Sequence, residues 1–201
     1  MVPTTGDVPT KRYCHSGTLL KSLFVVFGGI SVGPEDVPDG GRRDDVSVYS
    51  LQLDDIPNSA VWKKMDAASP PPGRSHHAAA AYGSDKLVIF GGIADSGVRM
   101  NDVYILDIEN LNWTLVSAHG EVPANRLSAQ IAVWQNKVVL FGGYTGSAMG
   151  KLNDVHVLDL TSHTWNAPKM TGGPPSGRYG HTGILLGNKF IIYGGLDTQK
   201  K

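Results

Sequence analysis

The apolar residues of this chain fall into short continuous runs rather than long periodic stretches. Four runs stand out: Leu23-Phe24-Val25-Val26-Phe27, Leu87-Val88-Ile89-Phe90, Val138-Val139-Leu140-Phe141 and Phe190-Ile191-Ile192-Tyr193. Each ends at a glycine pair, Gly28-Gly29, Gly91-Gly92, Gly142-Gly143 and Gly194-Gly195. Short β-rich runs bounded by turn residues predict strands that end at the glycine pair. In the second unit an Ala-rich strand is predicted over 76–82, a turn at Gly83-Ser84-Asp85 and the apolar strand over 86–90. An alternating strand over 101–107 (NDVYILD) follows, then a turn over 109–112 and a last strand over 113–116. The third unit repeats this order with strands at 130–134, 138–141, 153–159 (NDVHVLD) and around Trp165. No segment sustains a 3.6-residue period, so the predicted class is all-β.

The pattern is a repeat. An arginine precedes each glycine pair by 16 or 17 residues, at Arg12, Arg74, Arg126 and Arg178, with intervals of 62, 52 and 52 residues. A tryptophan follows at Trp62, Trp113 and Trp165. The glycines suit places where a strand must end sharply beside another backbone. Proline-containing linkers precede each arginine (Gly6-Asp7-Val8-Pro9, Pro70-Pro71-Pro72-Gly73, Gly120-Glu121-Val122-Pro123, Gly172-Gly173-Pro174-Pro175) and are expected between sheets rather than within them. Four-stranded units of about 50 residues, stacked around an axis, are propeller blades.

The succession of arginine, histidine, strand, glycine pair, NDV-strand with LD, and tryptophan resembles the kelch repeat. Arg74, His77, Gly91, Gly92, Leu106 and Trp113 match that motif, as do Arg12, His15, Gly28, Gly29, Tyr49 and Trp62. Arg178, His181, Gly194 and Gly195 carry it in the fourth unit, while the third has Ala129 at the histidine position. The resemblance covers essentially the whole of residues 1–201. It implies a kelch-type β-propeller segment of about three and a half antiparallel blades: blade one 12–66, blade two 74–118, blade three 126–170 and a partial blade four 178–196. Kelch propellers most often have six blades and chiefly bind other proteins. Since each blade hides its apolar faces against two neighbours, the segment is expected to belong to a larger ring or to need a partner chain to close it.

Composition narrows the function. Lys+Arg and Asp+Glu both number 18, so no net charge draws the chain toward nucleic acid or an anionic membrane. One cysteine excludes an internal disulfide scaffold. The opening MVPTTGDVPTKR lacks an apolar signal core, giving the expectation of a cytoplasmic or nuclear protein.

Candidate chemistry is sparse. The repeating arginines suggest an anion site, but recurrence in step with the blade marks them as architectural, near the axis. His15, His77 and His181 share one repeat position and are expected to be buried, hydrogen-bonded structural residues. No metal site is expected, for no HxxxH or HxH spacing occurs. Cys14 cannot face the adjacent His15, because neighbouring strand residues point to opposite faces, so a buried structural thiol is expected. Two enzyme groups share the kelch-type scaffold. Copper radical oxidases need a cysteine–tyrosine crosslink, which adjacent Tyr13 and Cys14 do not provide. Iron-dependent specifier proteins carry Glu, Asp and His at four-residue spacing, which Glu35, Asp39 and Arg43 echo with an arginine that cannot ligate a metal. No catalytic residue and no cofactor are therefore assigned.

Departures from the repeat point to binding. From Gly28 to Tyr49 the first unit takes 21 residues, against 15 from Gly91 to Leu106 and 16 from Gly142 to Leu158. From Tyr49 to Trp62 it takes 13, where the other units take seven. The first insertion, residues 30–44 (ISVGPEDVPDGGRRD), falls on the face that gathers the loops after second strands and the interblade linkers. The second, residues 51–60, reads as an elongated hairpin on the opposite side. Arg42, Arg43, Arg99, Tyr144 and Met149 are the partner-contact candidates, since Arg and Tyr dominate binding hot spots. The expected function is a non-catalytic protein-interaction module. A metal-dependent enzyme on the same scaffold, or a building block of a larger assembly, are the alternatives.

Overall fold

A computed structural model of the chain describes residues 4–32, 42–54, 59–146 and 150–197. The first repeat contains β1 (Thr4–Gly6), β2 (Arg12–Tyr13), β3 (Ser16–Leu20), β4 (Leu23–Phe27), β5 (Ile30–Val32), β6 (Arg42–Asp44), β7 (Val48–Gln52) and β8 (Ala60–Met65). The second contains β9 (Ala78–Tyr82), β10 (Lys86–Ile93), β11 (Arg99–Asp107) and β12 (Asn112–Leu115). The third contains β13 (His119–Gly120), β14 (Gln130–Trp134), β15 (Lys137–Tyr144), β16 (Lys151–Asp159) and β17 (Thr164–Asn166). The fourth contributes β18 (Arg178–Tyr179), β19 (Thr182–Leu186), β20 (Lys189–Tyr193) and β21 (Leu196–Asp197). No helix occurs among the described residues.

The blades are antiparallel meanders in the orders β3-β4-β7-β8, β9-β10-β11-β12 and β14-β15-β16-β17, with β19-β20 as a separate hairpin. Their innermost strands β3, β9, β14 and β19 lie side by side. The strand after each inner one is an apolar run, and in β10, whose run follows Lys86, both faces are covered. Leu87 and Ile89 of β10 pack toward blade one, with Leu20, Val25 and Phe27. Val88 and Phe90 pack toward blade three, with Ile131, Val138 and Leu140. The recurring tryptophan wedges between blades: Trp113 sits 4.8 Å from Phe27 and Trp165 5.8 Å from Phe90, centroid to centroid.

Three details differ from expectation. β4 and β20 stop at the glycine pair as expected, but the other two apolar strands do not. β10 and β15 pass through it with a bulge, between Phe90 and Gly92 and between Phe141 and Gly143. The pair kinks the strand against the next blade: Gly92 (φ 95) donates its amide to the Arg126 carbonyl at 3.0 Å. Second, the linkers are partly sheet. β1 pairs in parallel with outer strand β8, and β13 with β17, covering edges that would otherwise be open. Within the linkers themselves only Gly6 and Gly120 enter a ladder; the other residues, prolines included, lie between sheets as expected. Third, the first insertion is not all loop: β5 pairs with both β2 and β6 in a three-stranded ribbon.

Candidate functional site

The periodic arginine has a local cause for its position. Its side chain lies under the glycine pair of its own blade, and every edge of the guanidinium is used. In blade three, Arg126 donates through Nε to Ala124 O at 3.0 Å and through Nη1 to Gly142 O at 3.0 Å. Its two terminal nitrogens grip Asp154, the Asp of NDV, at 2.7 and 2.8 Å. Arg74 repeats the fork on Asp102 at 2.6 and 2.9 Å, and Arg12 meets Asp45 through one bond of 2.9 Å. Burial raises the pKa of Asp154, but hydrogen bonds from His156 and Arg126, and their charges, outweigh it and hold the carboxyl far below the usual range. Arg12, Arg74 and Arg126 therefore act as braces, each with four hydrogen bonds to its own blade.

Two residues after each arginine the backbone turns left-handed, at Cys14 (φ 55), His76 (φ 55), Ser128 (φ 52) and Gly180 (φ 64). Amide-to-carbonyl bonds run from His76 to Cys14 (3.0 Å), Ser128 to His76 (2.7 Å) and Gly180 to Ser128 (2.9 Å), stitching the blades together. This register corrects the expectation for Cys14. It is half-buried rather than buried, and its Sγ lies 3.0 Å from Nε2 of His76 in the next blade. Strand alternation keeps Cys14 from His15, as reasoned; it does not govern the neighbouring blade.

The repeat histidines divide. His77 is buried against Phe27 (5.2 Å between centroids), with Nε2 2.8 Å from Ser16 Oγ, and burial, then the Arg74, His15 and His76 charges, lower its pKa to about 3. His181 is buried against Phe141 at 5.3 Å, and burial, then the Arg178 charge, lower it to about 4. His15 is exposed, contrary to expectation, because no described blade packs on that side of blade one. Among the described residues, no three His, Cys, Asp or Glu side chains converge as a metal site. Glu35 and Asp39 lie outside the described residues.

On the face with the loops after β4, β10 and β15, blades one to three surround a hollow of about 520 Å³, lined by Ile30, Ser75, His76, Ile93, Asp95 and Leu127. Beside it stands a row of two stacked rings flanked by two cations. The Arg99 guanidinium lies 5.9 Å from the centre of the Tyr144 ring, Tyr144 and Tyr179 are 5.3 Å apart, and Lys151 Nζ lies 5.7 Å from the Tyr179 ring. Of the predicted contact residues, the structure thus brings Arg99 and Tyr144 together. The backbones of Arg42 and Arg43 lie in β6, but their side chains, and all of Met149, are outside the described residues.

Tyr179 and Lys151 were missed by sequence reasoning. Their signal was positional: Tyr179 follows a repeat arginine and Lys151 faces Tyr144 directly across the β15–β16 pair. All four side chains are half-buried, and Lys151 Nζ also donates to the Asp197 carbonyl. The row holds no nucleophile and no general base.

The description KLHDC2/KLHL20/DRC7 Kelch-repeats domain matches residues 1–195. The chain is 30% identical over 207 residues to the dynein alpha chain of the flagellar outer arm of Chlamydomonas reinhardtii, covering 97% of this chain and 4% of that protein. It is 33% identical over 162 residues to acyl-CoA-binding domain-containing protein 4 of Arabidopsis thaliana, covering 80% and 24%. It is 28% identical over 220 residues to human host cell factor 1, covering 99% and 11%. The chain thus spans under a quarter of the length of each of these relatives. With the bladed sheets, the arginine–aspartate forks and a family match over residues 1–195, the chain belongs to the kelch-repeat family of β-propellers.

Proposed function

We propose that residues 1–201 act as a non-catalytic protein-interaction module, with blade limits 12–66, 74–118, 126–170 and 178–196. The blades hold loop stems rigidly, and the face carrying the loops after the second strands meets a partner protein. The supporting observation is the Arg99–Tyr144–Tyr179–Lys151 row beside the hollow. Arginine and tyrosine give large contact area at small entropic cost, and this row fixes them before binding. Arg42, Arg43 and Met149 belong to the same proposed contact face on the sequence pattern alone. The partner chemistry that fits is a protein surface offering carboxylates and aromatic or proline groups; no nucleic acid, membrane or cofactor is invoked. A cytoplasmic or nuclear setting is proposed with it.

The test is partner capture with the wild-type chain and with the Arg99→Ala/Tyr144→Ala pair, followed by affinity measurement on the captured protein. The pair should weaken binding at least roughly tenfold while leaving the melting temperature within about 2 °C. Unchanged affinity refutes the loop-face assignment.

A further inference from the structure

The left-handed residues that follow the repeat arginines carry different chemistry: a thiol at Cys14, an imidazole at His76 and a hydroxyl at Ser128. Each blade boundary sets these equal positions side by side. The thiol of the first repeat therefore meets the imidazole of the second, with Sγ 3.0 Å from Nε2. The imidazole is oriented from behind. Ser75 Oγ donates to the Ile93 carbonyl at 3.5 Å and lies 3.3 Å from His76 Nδ1, so it accepts the Nδ1 proton. That leaves the Nε2 lone pair turned to the thiol, which is the order nucleophile, base, orienting group of an activated sulfur.

A thiol beside an imidazole does not by itself make a site; the surroundings of this pair do. The half-buried Cys14 opens onto a hollow of about 310 Å³ at the starts of the four inner strands, lined also by His77, Ser128, Gln130 and His181. Two of these walls carry unmet polar atoms. His77 is 8% exposed and His181 3%, yet His77 Nδ1 and His181 Nε2 have no hydrogen-bond partner among the described residues. The repeat explains the second orphan. Ser16, four residues after Arg12, meets His77 Nε2 at 2.8 Å, whereas Gln130, four residues after Arg126, makes no such bond to His181. Buried polar atoms left this way are costly unless a molecule in the hollow meets them.

We propose that Cys14 is a covalent modification site for a small conjugated carbonyl compound, which enters this hollow and adds to the thiol with His76 as the proton carrier. The Sγ–H proton passes to His76 Nε2, and the sulfur bonds to the β-carbon of the electrophile. The C=C electron pair shifts toward the carbonyl oxygen as an enolate, whose α-carbon then takes the proton back from His76. The adduct keeps every atom of both reactants, with no leaving group and no change of oxidation state overall. A soft sulfur suits a soft carbon centre, and the polar walls suit an oxygen that gains charge during addition. Cys14 is the only cysteine of the chain, so no second thiol within it resolves an oxidised sulfur, whereas addition to carbon ends in a stable product. The site is separate from the Arg99–Tyr144–Tyr179–Lys151 row, and its test needs no captured partner, so this proposal and the interaction reading fail separately.

The experiment uses the full chain with but-3-en-2-one as the probe and a synthetic peptide of residues 10–20 (TKRYCHSGTLL) as the reference. The peptide keeps the cysteine and its neighbours but lacks blade two. Intact mass and peptide mapping follow adduct formation at neutral pH. The first adduct should lie on Cys14 and form at least roughly tenfold faster than on the peptide. His76→Gln cannot carry the proton and should slow the addition at least roughly tenfold at an unchanged melting temperature. Iodomethane has no oxygen for the walls to hold, so folding should speed it less than the ketone, by a factor of about three or more. The proposal is overturned if the folded chain reacts no faster than the peptide, if iodomethane gains as much as the ketone, or if folded His76→Gln reacts like wild type. Should His76→Gln unfold, the peptide comparison and the two-probe ratio on the wild-type chain still decide.

Discussion

Replacing Arg126 by methionine tests whether the repeat arginine is a brace or an unused anion site. The side chain is 1% exposed and makes four polar contacts: two to the Asp154 carboxylate and one each to the Ala124 and Gly142 carbonyls. Methionine fills much the same volume, so the loss is polar rather than a cavity. Breaking one side of a buried ion pair costs about 3–5 kcal/mol. The Asp154 side chain is 36% exposed, so water recovers part of its solvation and the lower end applies, about 3 kcal/mol. For a chain of this size each kcal/mol lowers the melting temperature by about 2–4 °C, giving a drop of about 6–12 °C. Arg126→Lys should recover less than half, since an ammonium cannot span both carboxylate oxygens and two carbonyls. Thermal unfolding followed by circular dichroism and tryptophan fluorescence reads the effect. A drop under about 2 °C for Arg126→Met would mean that the fork does not hold the blade together.

Other perturbations follow from the same contacts. Because the folded pKa of His77 is about 3 against an ordinary 6.5, the unfolded chain binds the proton first as pH falls. Its stabilisation is complete above pH 6.5 and is lost as pH falls toward 3, amounting to about 2 kcal/mol by pH 5. Melting curves at pH 7.5 and 5.0 should show this loss, and His77→Gln should flatten the slope; an unchanged slope contradicts the burial assignment. Gly92→Ala forces a side chain into φ 95 with its Cβ 2.6 Å from the Ser75 carbonyl, and should cost at least about 2 kcal/mol by chemical denaturation. Gly97→Ala, also at positive φ (81) but in open space, should cost about 1 kcal/mol; equal costs would mean that close approach is not what demands glycine at position 92.

The fold was legible because the glycine pairs, arginines and NDV strands recur in step, and periodicity survives local ambiguity. Strand order and the second-repeat turn at 83–85 follow directly from that pattern. What the sequence hid was contact between repeats. The Asp of NDV was visible as a motif, but its grip on an arginine 28 positions earlier depends on how the blade folds back. Cys14 and His76 look unrelated until residues two places after each arginine are compared, because their contact crosses a blade boundary. Similarly, Tyr179 gains its role from Tyr144 in the preceding repeat, a partner that no single-repeat motif contains. Continuation of β10 and β15 through their glycine pairs was missed because two glycines read as a terminator, which they are after β4 and β20, whereas in blades two and three they make a bulge.

The most direct measurement is hydrogen–deuterium exchange of the chain with and without its captured partner. Interaction through the loop face predicts slowed exchange in residues 93–100, 144–146, 150–152 and 176–180, with the outer strands β8, β12 and β17 unchanged. Protection confined to those outer strands, with the loop-face segments exchanging as in the free chain, would contradict it.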